Sequence, residues 1–126
     1  MDVYKVLAVG FGGFLGSIAR YITVKSVDEK LNAVFPYGTL SVNIIGSFLL
    51  GLIYVLASRK TGMTEQWRLF LGAGFCGGFT TFSAFALENF NLIEQKLGGI
   101  SLAYVSVSLL AGLLALAAGV WLGRFL

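Results

Sequence analysis

Residues 31–58 read LNAVFPYGTLSVNIIGSFLLGLIYVLAS, twenty-eight positions without Asp, Glu, Lys or Arg. Crossing a bilayer as a helix takes roughly 20 mostly apolar residues, so this run spans one unaided. Working outward, further charge-free runs of 14, 19 and 27 residues occupy positions 6–19, 69–87 and 97–123, and the first of these qualifies once its ends reach the interface. Of the 126 residues, 57% are hydrophobic and 12% charged, with mean hydropathy +0.86; a soluble domain carries about twice that charged fraction. The reading is an all-α membrane protein with one four-helix transmembrane domain over residues 1–126, its spans at about 3–24, 38–58, 68–94 and 99–123.

Four spans leave a first loop from Lys25 to Tyr37, two shorter loops and a few terminal residues, so any chemistry is expected inside the membrane. There is no His and a single Cys, Cys76. That excludes histidine-based zinc sites, histidine-dependent hydrolase triads and disulfides within the chain, and the protein is read as a non-enzyme. Gly10, Gly12, Gly13 and Gly16 miss the dinucleotide-loop register, since Leu15 stands where the third glycine belongs and no strand precedes them. With Asp2 beside the start, Arg20 near its end and no small-residue cleavage site, the first span is expected to be retained rather than removed as a signal peptide.

Within the first span, Gly12, Gly13 and Gly16 suit close helix packing. Arg20 either snorkels to the interface or draws anions to a pore mouth. Pro36, just before Gly38, marks the start of the second span. There Thr39, Asn43, Gly46 or Ser47, and Leu50 or Gly51 recur at helical spacing, giving one small or polar stripe on an apolar helix. Asn43 brings two donors and an acceptor to a place short of water, serving an interhelical hydrogen bond or a pore.

The third span contains GFCGGFTTFSAF at residues 74–85, a composition that weakens a helix at its centre. Unwound backbone at membrane depth requires burial or a hydrated cavity, and its freed carbonyls can coordinate a cation. Phe79, Phe82 and Phe85 recur every three residues, which places rings along one side of the resumed helix, followed by Asn89. Such rings ordinarily face lipid or core, but their electropositive edges can also face an anion. Ser83 adds a hydroxyl, and Glu88 is read as an interfacial charge or a partner for a hydroxyl on another helix. In the fourth span Ser101, Tyr104, Ser108, Gly112, Ala115 and Gly119 share one face.

An even number of spans assigns Lys5, Arg59, Lys60, Arg68 and Arg124 to one side and Arg20, Lys25, Lys30 and Lys96 to the other. Because loop Lys and Arg set orientation, so even a split instructs almost nothing. Insertion both ways would supply copies that pair antiparallel about an axis in the membrane plane.

Three ordered motifs then resemble the CrcB/Fluc fluoride channels over essentially the whole chain: Gly12, Gly13, Gly16, Arg20 and Tyr21; Gly38, Thr39, Leu40, Val42, Asn43 and Gly46; and GGFTTFSAF at 77–85. The resemblance implies an antiparallel, dual-topology homodimer in the cell (inner) membrane, with a broken third helix and two fluoride pores that relieve fluoride toxicity. It also implies a structural sodium ion at the dimer axis, held by backbone carbonyls of Gly77 and Thr80 from both subunits. By the same likeness Asn43 is the pore asparagine, Phe82 and Phe85 the phenylalanine box, and Tyr104 and Ser108 the polar groups of the fourth helix. Ser83 and Thr39 continue the polar track, with Glu88 near Thr39 and Arg20 in the vestibule. Gly112 and Ala84 depart from the family's pattern, each removing a hydroxyl. The expected partners are fluoride, lipid and a second copy, with no nucleic acid. The rival is a small dual-topology proton-coupled drug or guanidinium transporter, which resembles its kind in having a glutamate within the first helix; here that helix has no carboxylate between Asp2 and Asp28.

Overall fold

A computed structural model describes residues 1–59 and 62–126. Among these residues the chain is helical throughout, with no strand: α1 (Val3–Leu31), α2 (Tyr37–Ser58), α3 (Glu65–Leu69), a π-helical segment (Phe70–Cys76), α4 (Gly77–Phe79), α5 (Phe82–Glu94) and α6 (Gly98–Gly123). Four stretches are long and apolar enough to cross a membrane: Val3–Leu31, Tyr37–Ser58, Glu65–Glu94 and Gly98–Gly123. Lys60, counted above among the charges of one side, lies outside the described residues.

The first helix continues past position 24 to Leu31. Residues 25–30, KSVDEK, contain neither Gly nor Pro, and Lys and Glu, three of the six, are good helix formers. Asn32, in the left-handed region (φ 44°, ψ 49°), ends the helix and donates its N–H to the Asp28 carbonyl. The first connection therefore shrinks to residues 32–36. At about 1.5 Å per residue, α1 is roughly 43 Å long against a hydrocarbon core of about 30 Å, so it is longer than a single crossing needs, and most of its charged residues lie in the last turns. The third span also starts early, at Glu65, because the Thr64 hydroxyl accepts the Trp67 N–H and caps it.

Glycines set how closely the helices approach. A methyl on Gly12 would strike the Phe70 carbonyl, one on Gly16 the Phe75 carbonyl, and one on Gly78 would lie 2.6 Å from the Gly13 carbonyl. Thus α1 packs backbone to backbone against the third span. Gly51 and Gly119 do the same for α2 and α6, against the carbonyls of Leu116 and Phe48. At one end of the bundle Lys5 pairs with Glu65 at 3.0 Å, and the Arg59 guanidinium donates to the Gly123 carbonyl at 2.7 Å.

Gly74, Gly77 and Gly78 all stay helical. The extended residues are the two that follow, Thr80 (φ −92°, ψ 161°) and Thr81 (φ −152°, ψ 119°), lying between α4 and α5. This link also undoes the expected row of three rings: Phe79 belongs to α4, is buried, and stacks on Phe75 at 5.7 Å, while only Phe82 and Phe85 share α5. Two extended residues break the 100° phase on which the row depended.

Candidate functional site

The link keeps one helical bond and is otherwise held by side chains. Thr80 donates both its N–H and its hydroxyl to the Cys76 carbonyl, at 3.0 and 2.8 Å. Asn43, from α2, accepts the Thr81 N–H at 2.8 Å and donates its amide to the Thr81 carbonyl at 3.2 Å. The Thr81 hydroxyl then accepts the Ala84 N–H at 3.1 Å and so caps α5. Arg20 Nε donates to the Gly78 carbonyl at 2.9 Å. Among the described residues no side chain and no turn or cap N–H donates to the carbonyls of Gly77 and Thr80.

Beside the link lies a cavity of about 540 Å³, open to one side, whose lining includes Asn43, Gly77, Thr80, Phe82, Phe85 and Ser108. The Phe82 and Phe85 rings meet edge to face, with centroids 5.8 Å apart and planes at 78°. Ser108 Oγ is the one buried side-chain polar atom among the described residues without a partner. Asn43 spends one acceptor position and one donor on Thr81, and it retains one N–H and the second lone pair of its oxygen.

A second cluster adjoins the first through Phe85, whose ring lies 5.0 Å from that of Tyr104. Here Glu88 accepts two hydroxyls, from Thr39 at 2.7 Å and from Tyr104 at 2.9 Å. Both donors are buried. Asn89 accepts the Ser101 hydroxyl at 2.7 Å and donates to the Phe85 carbonyl at 2.9 Å, tying α5 to α6.

The structure therefore gathers six of the sequence candidates, Asn43, Phe82, Phe85, Ser108, Gly77 and Thr80, around one cavity. Thr39 and Tyr104 belong to the Glu88 cluster. Ser83 is exposed and meets only the Thr81 hydroxyl, at 3.4 Å. Arg20 lies outside the lining, held at Gly78. Gly112 lines the cavity without adding a hydroxyl. Two contributors escaped the sequence reading. Thr81 was detectable as a Thr directly before a helical stretch, the usual cap pattern. Asp28, whose carboxylate accepts the Gly38 N–H from another helix, left no local signal.

Fold and site together define a small multi-pass α-helical membrane protein whose polar groups converge on an intramembrane cavity. The chain belongs to the CrcB family: the family described as "CrcB-like protein, Camphor Resistance (CrcB)" matches residues 7–120. It is 44% identical over 123 residues to the fluoride-specific ion channel FluC of Bacteroides fragilis, covering 95% of this chain and 96% of that one. Against FluC of Chelativorans sp. the identity is 42% over 122 residues, with 97% and 98% covered. Against FluC of Leptospira interrogans it is 39% over 118 residues, with 94% and 93% covered. The kinship read from the three motifs stands.

Proposed function

We propose that this protein is a fluoride-selective passive channel of the cell membrane that lets fluoride leave the cell. Its nearly full-length likeness to relatives named as fluoride-specific ion channels supports the ion's identity. The observation that carries the mechanism is the two-point bond between Asn43 and Thr81, which fixes the amide at the cavity wall with one N–H still to give. Ser108 adds a free hydroxyl, and Phe82 and Phe85 add positive ring edges on apolar bodies. Fluoride is small and tightly hydrated, so its water must be replaced by donors too weak to trap it. Several neutral donors in series meet that demand, whereas a buried full cation on the path would hold the ion.

The channel works as an antiparallel homodimer with two pores. Phe82 is 69% exposed and the cavity is open on one side, so a second copy would close what one chain leaves unfinished. In this assembly the third helix is broken at Thr80 and Thr81, and the break serves a structural sodium ion at the dimer axis. The fit is good: Gly77 and Thr80 offer carbonyls that no side chain occupies, the oxygen donors that a hard cation prefers. Bound there, the ion would supply positive charge that offsets the exposed carbonyl dipoles of the two subunits. Thr39 and Tyr104 continue the polar path around Glu88, Ser83 lies at its edge, and Arg20 steadies the break through Gly78 while lending positive charge to the vestibule.

The test is efflux from liposomes loaded with potassium fluoride after addition of a potassium ionophore, with potassium chloride as control. Rapid fluoride release with negligible chloride release is expected. Vesicles that contain folded protein yet release neither ion would overturn the reading.

A further inference from the structure

We infer that Asp28 is a positioning residue for the Glu88 cluster, holding the first turn of α2 so that Thr39 reaches Glu88; the inference rests on the channel reading above. The start of a helix leaves backbone N–H groups without partners. At α2 the preceding residue is Pro36, which makes no side-chain cap. Tyr37 N–H turns back to the Phe35 carbonyl at 2.8 Å, and Leu40 N–H bonds the Pro36 carbonyl at 3.1 Å. The Gly38 N–H is taken instead by Asp28 Oδ1, at 2.9 Å, from a different helix. A carboxylate in this position also meets the positive end of the α2 dipole.

The contact is tight and specific. A methyl on Gly38 would lie 2.7 Å from Asp28 Oδ1 and 2.8 Å from the Val24 carbonyl, so the absence of a side chain at 38 is what admits the carboxylate. Asp28 gets there because α1 continues past its apolar run to Leu31. The residue after Gly38 is Thr39, 1% exposed, whose hydroxyl is spent on Glu88. Glu88 and Asp28 also line one cavity of about 450 Å³ at this end of the bundle, in which they are the only charged groups among the described residues. Asp28 thus bears on the conduction path through Thr39, without entering the main cavity.

Efflux of potassium fluoride from liposomes containing the purified full-length protein tests this with three substitutions. Asp28→Asn keeps an acceptor oxygen for the Gly38 N–H while removing the charge; Asp28→Ala removes both; Thr39→Val removes the hydroxyl through which Asp28 is proposed to act. Losing a helix cap is worth roughly a fivefold change in an equilibrium, so Asp28→Ala should slow release about fivefold. Asp28→Asn should restore the wild-type rate to within about twofold, and Asp28→Ala should add nothing to Thr39→Val. Wild-type release by Asp28→Ala, equal slowing by Asp28→Asn, or a further fivefold loss in the Thr39→Val background would each overturn the inference while leaving the channel reading intact. If the wild type itself releases no fluoride, the channel reading falls, and amide exchange then decides the placement: Gly38 and Thr39 should exchange faster in Asp28→Ala and normally in Asp28→Asn. Unchanged exchange in Asp28→Ala overturns it.

Discussion

Two helix contacts in this molecule are cut to the same pattern and end differently. Between α2 and α6, Gly51 and Gly119 let backbones touch, and both helices run on unbroken. Between α1 and the third span, Gly12, Gly16, Gly74 and Gly78 do likewise, yet that span passes through a π-helical segment and two extended residues. Glycine therefore does not make the irregularity. What distinguishes the second contact is the polar equipment next to it: threonines at 80 and 81 that bond backbone, and an asparagine on α2 that supplies the partners the helix gives up. Where no Thr or Asn stands beside the glycines, close packing is the whole outcome.

Asn43→Leu should break the difference most severely. It leaves the Thr81 N–H and carbonyl without their partner, at roughly 1–3 kcal/mol for each buried group, and should lower the thermal unfolding midpoint in detergent as well as abolish fluoride efflux. Next comes a pair within α6. Gly119→Ala forces a methyl onto the Phe48 carbonyl and should destabilise by about 1–3 kcal/mol. Gly112→Ala meets only Ser47 Oγ, 4.0 Å away, and should stay within about 0.5 kcal/mol of wild type in the same melt.

Phe85→Ile keeps an apolar body and loses the ring edge. Fluoride efflux should fall at least tenfold, about 1.4 kcal/mol in the barrier, while the unfolding midpoint holds. Equal efflux from wild type and this variant would make the rings mere packing, as they are at Phe75 and Phe79. A smaller effect on conduction is expected at Ser108. Its hydroxyl has no partner to lose, so Ser108→Ala should leave stability within about 0.5 kcal/mol while slowing efflux severalfold. A clear loss of stability would mean that the hydroxyl holds helices together instead of facing the ion.

Much of this was legible beforehand. Charge-free runs announce membrane helices because hydrocarbon tolerates so few charges, and the four spans follow from them. The end of α1 was not legible, because past Val24 the chain stops being apolar without ceasing to favour a helix. The stripes on α2 and α6 meet inside the bundle: Asn43, Ser108 and Gly112 line the cavity, and Thr39, Ser101 and Tyr104 are buried. The expected row of rings failed at Phe79, since a period counted along the chain assumes one continuous helix.

By itself the sequence determined that the chain lies in a membrane as four helices, that its polar groups fall on a few narrow faces, and that its kinship is with the CrcB family. Each of these rests on local composition and spacing, which need no knowledge of neighbours. Only the tertiary structure decided that the extended residues are Thr80 and Thr81 rather than the glycines before them, that Asn43 binds the Thr81 backbone at the cavity wall, and that Asp28 caps a helix it does not belong to. Those outcomes depend on which hydrogen-bonding groups meet across helices, and in a medium without water a backbone group can leave its helix only where such a partner waits.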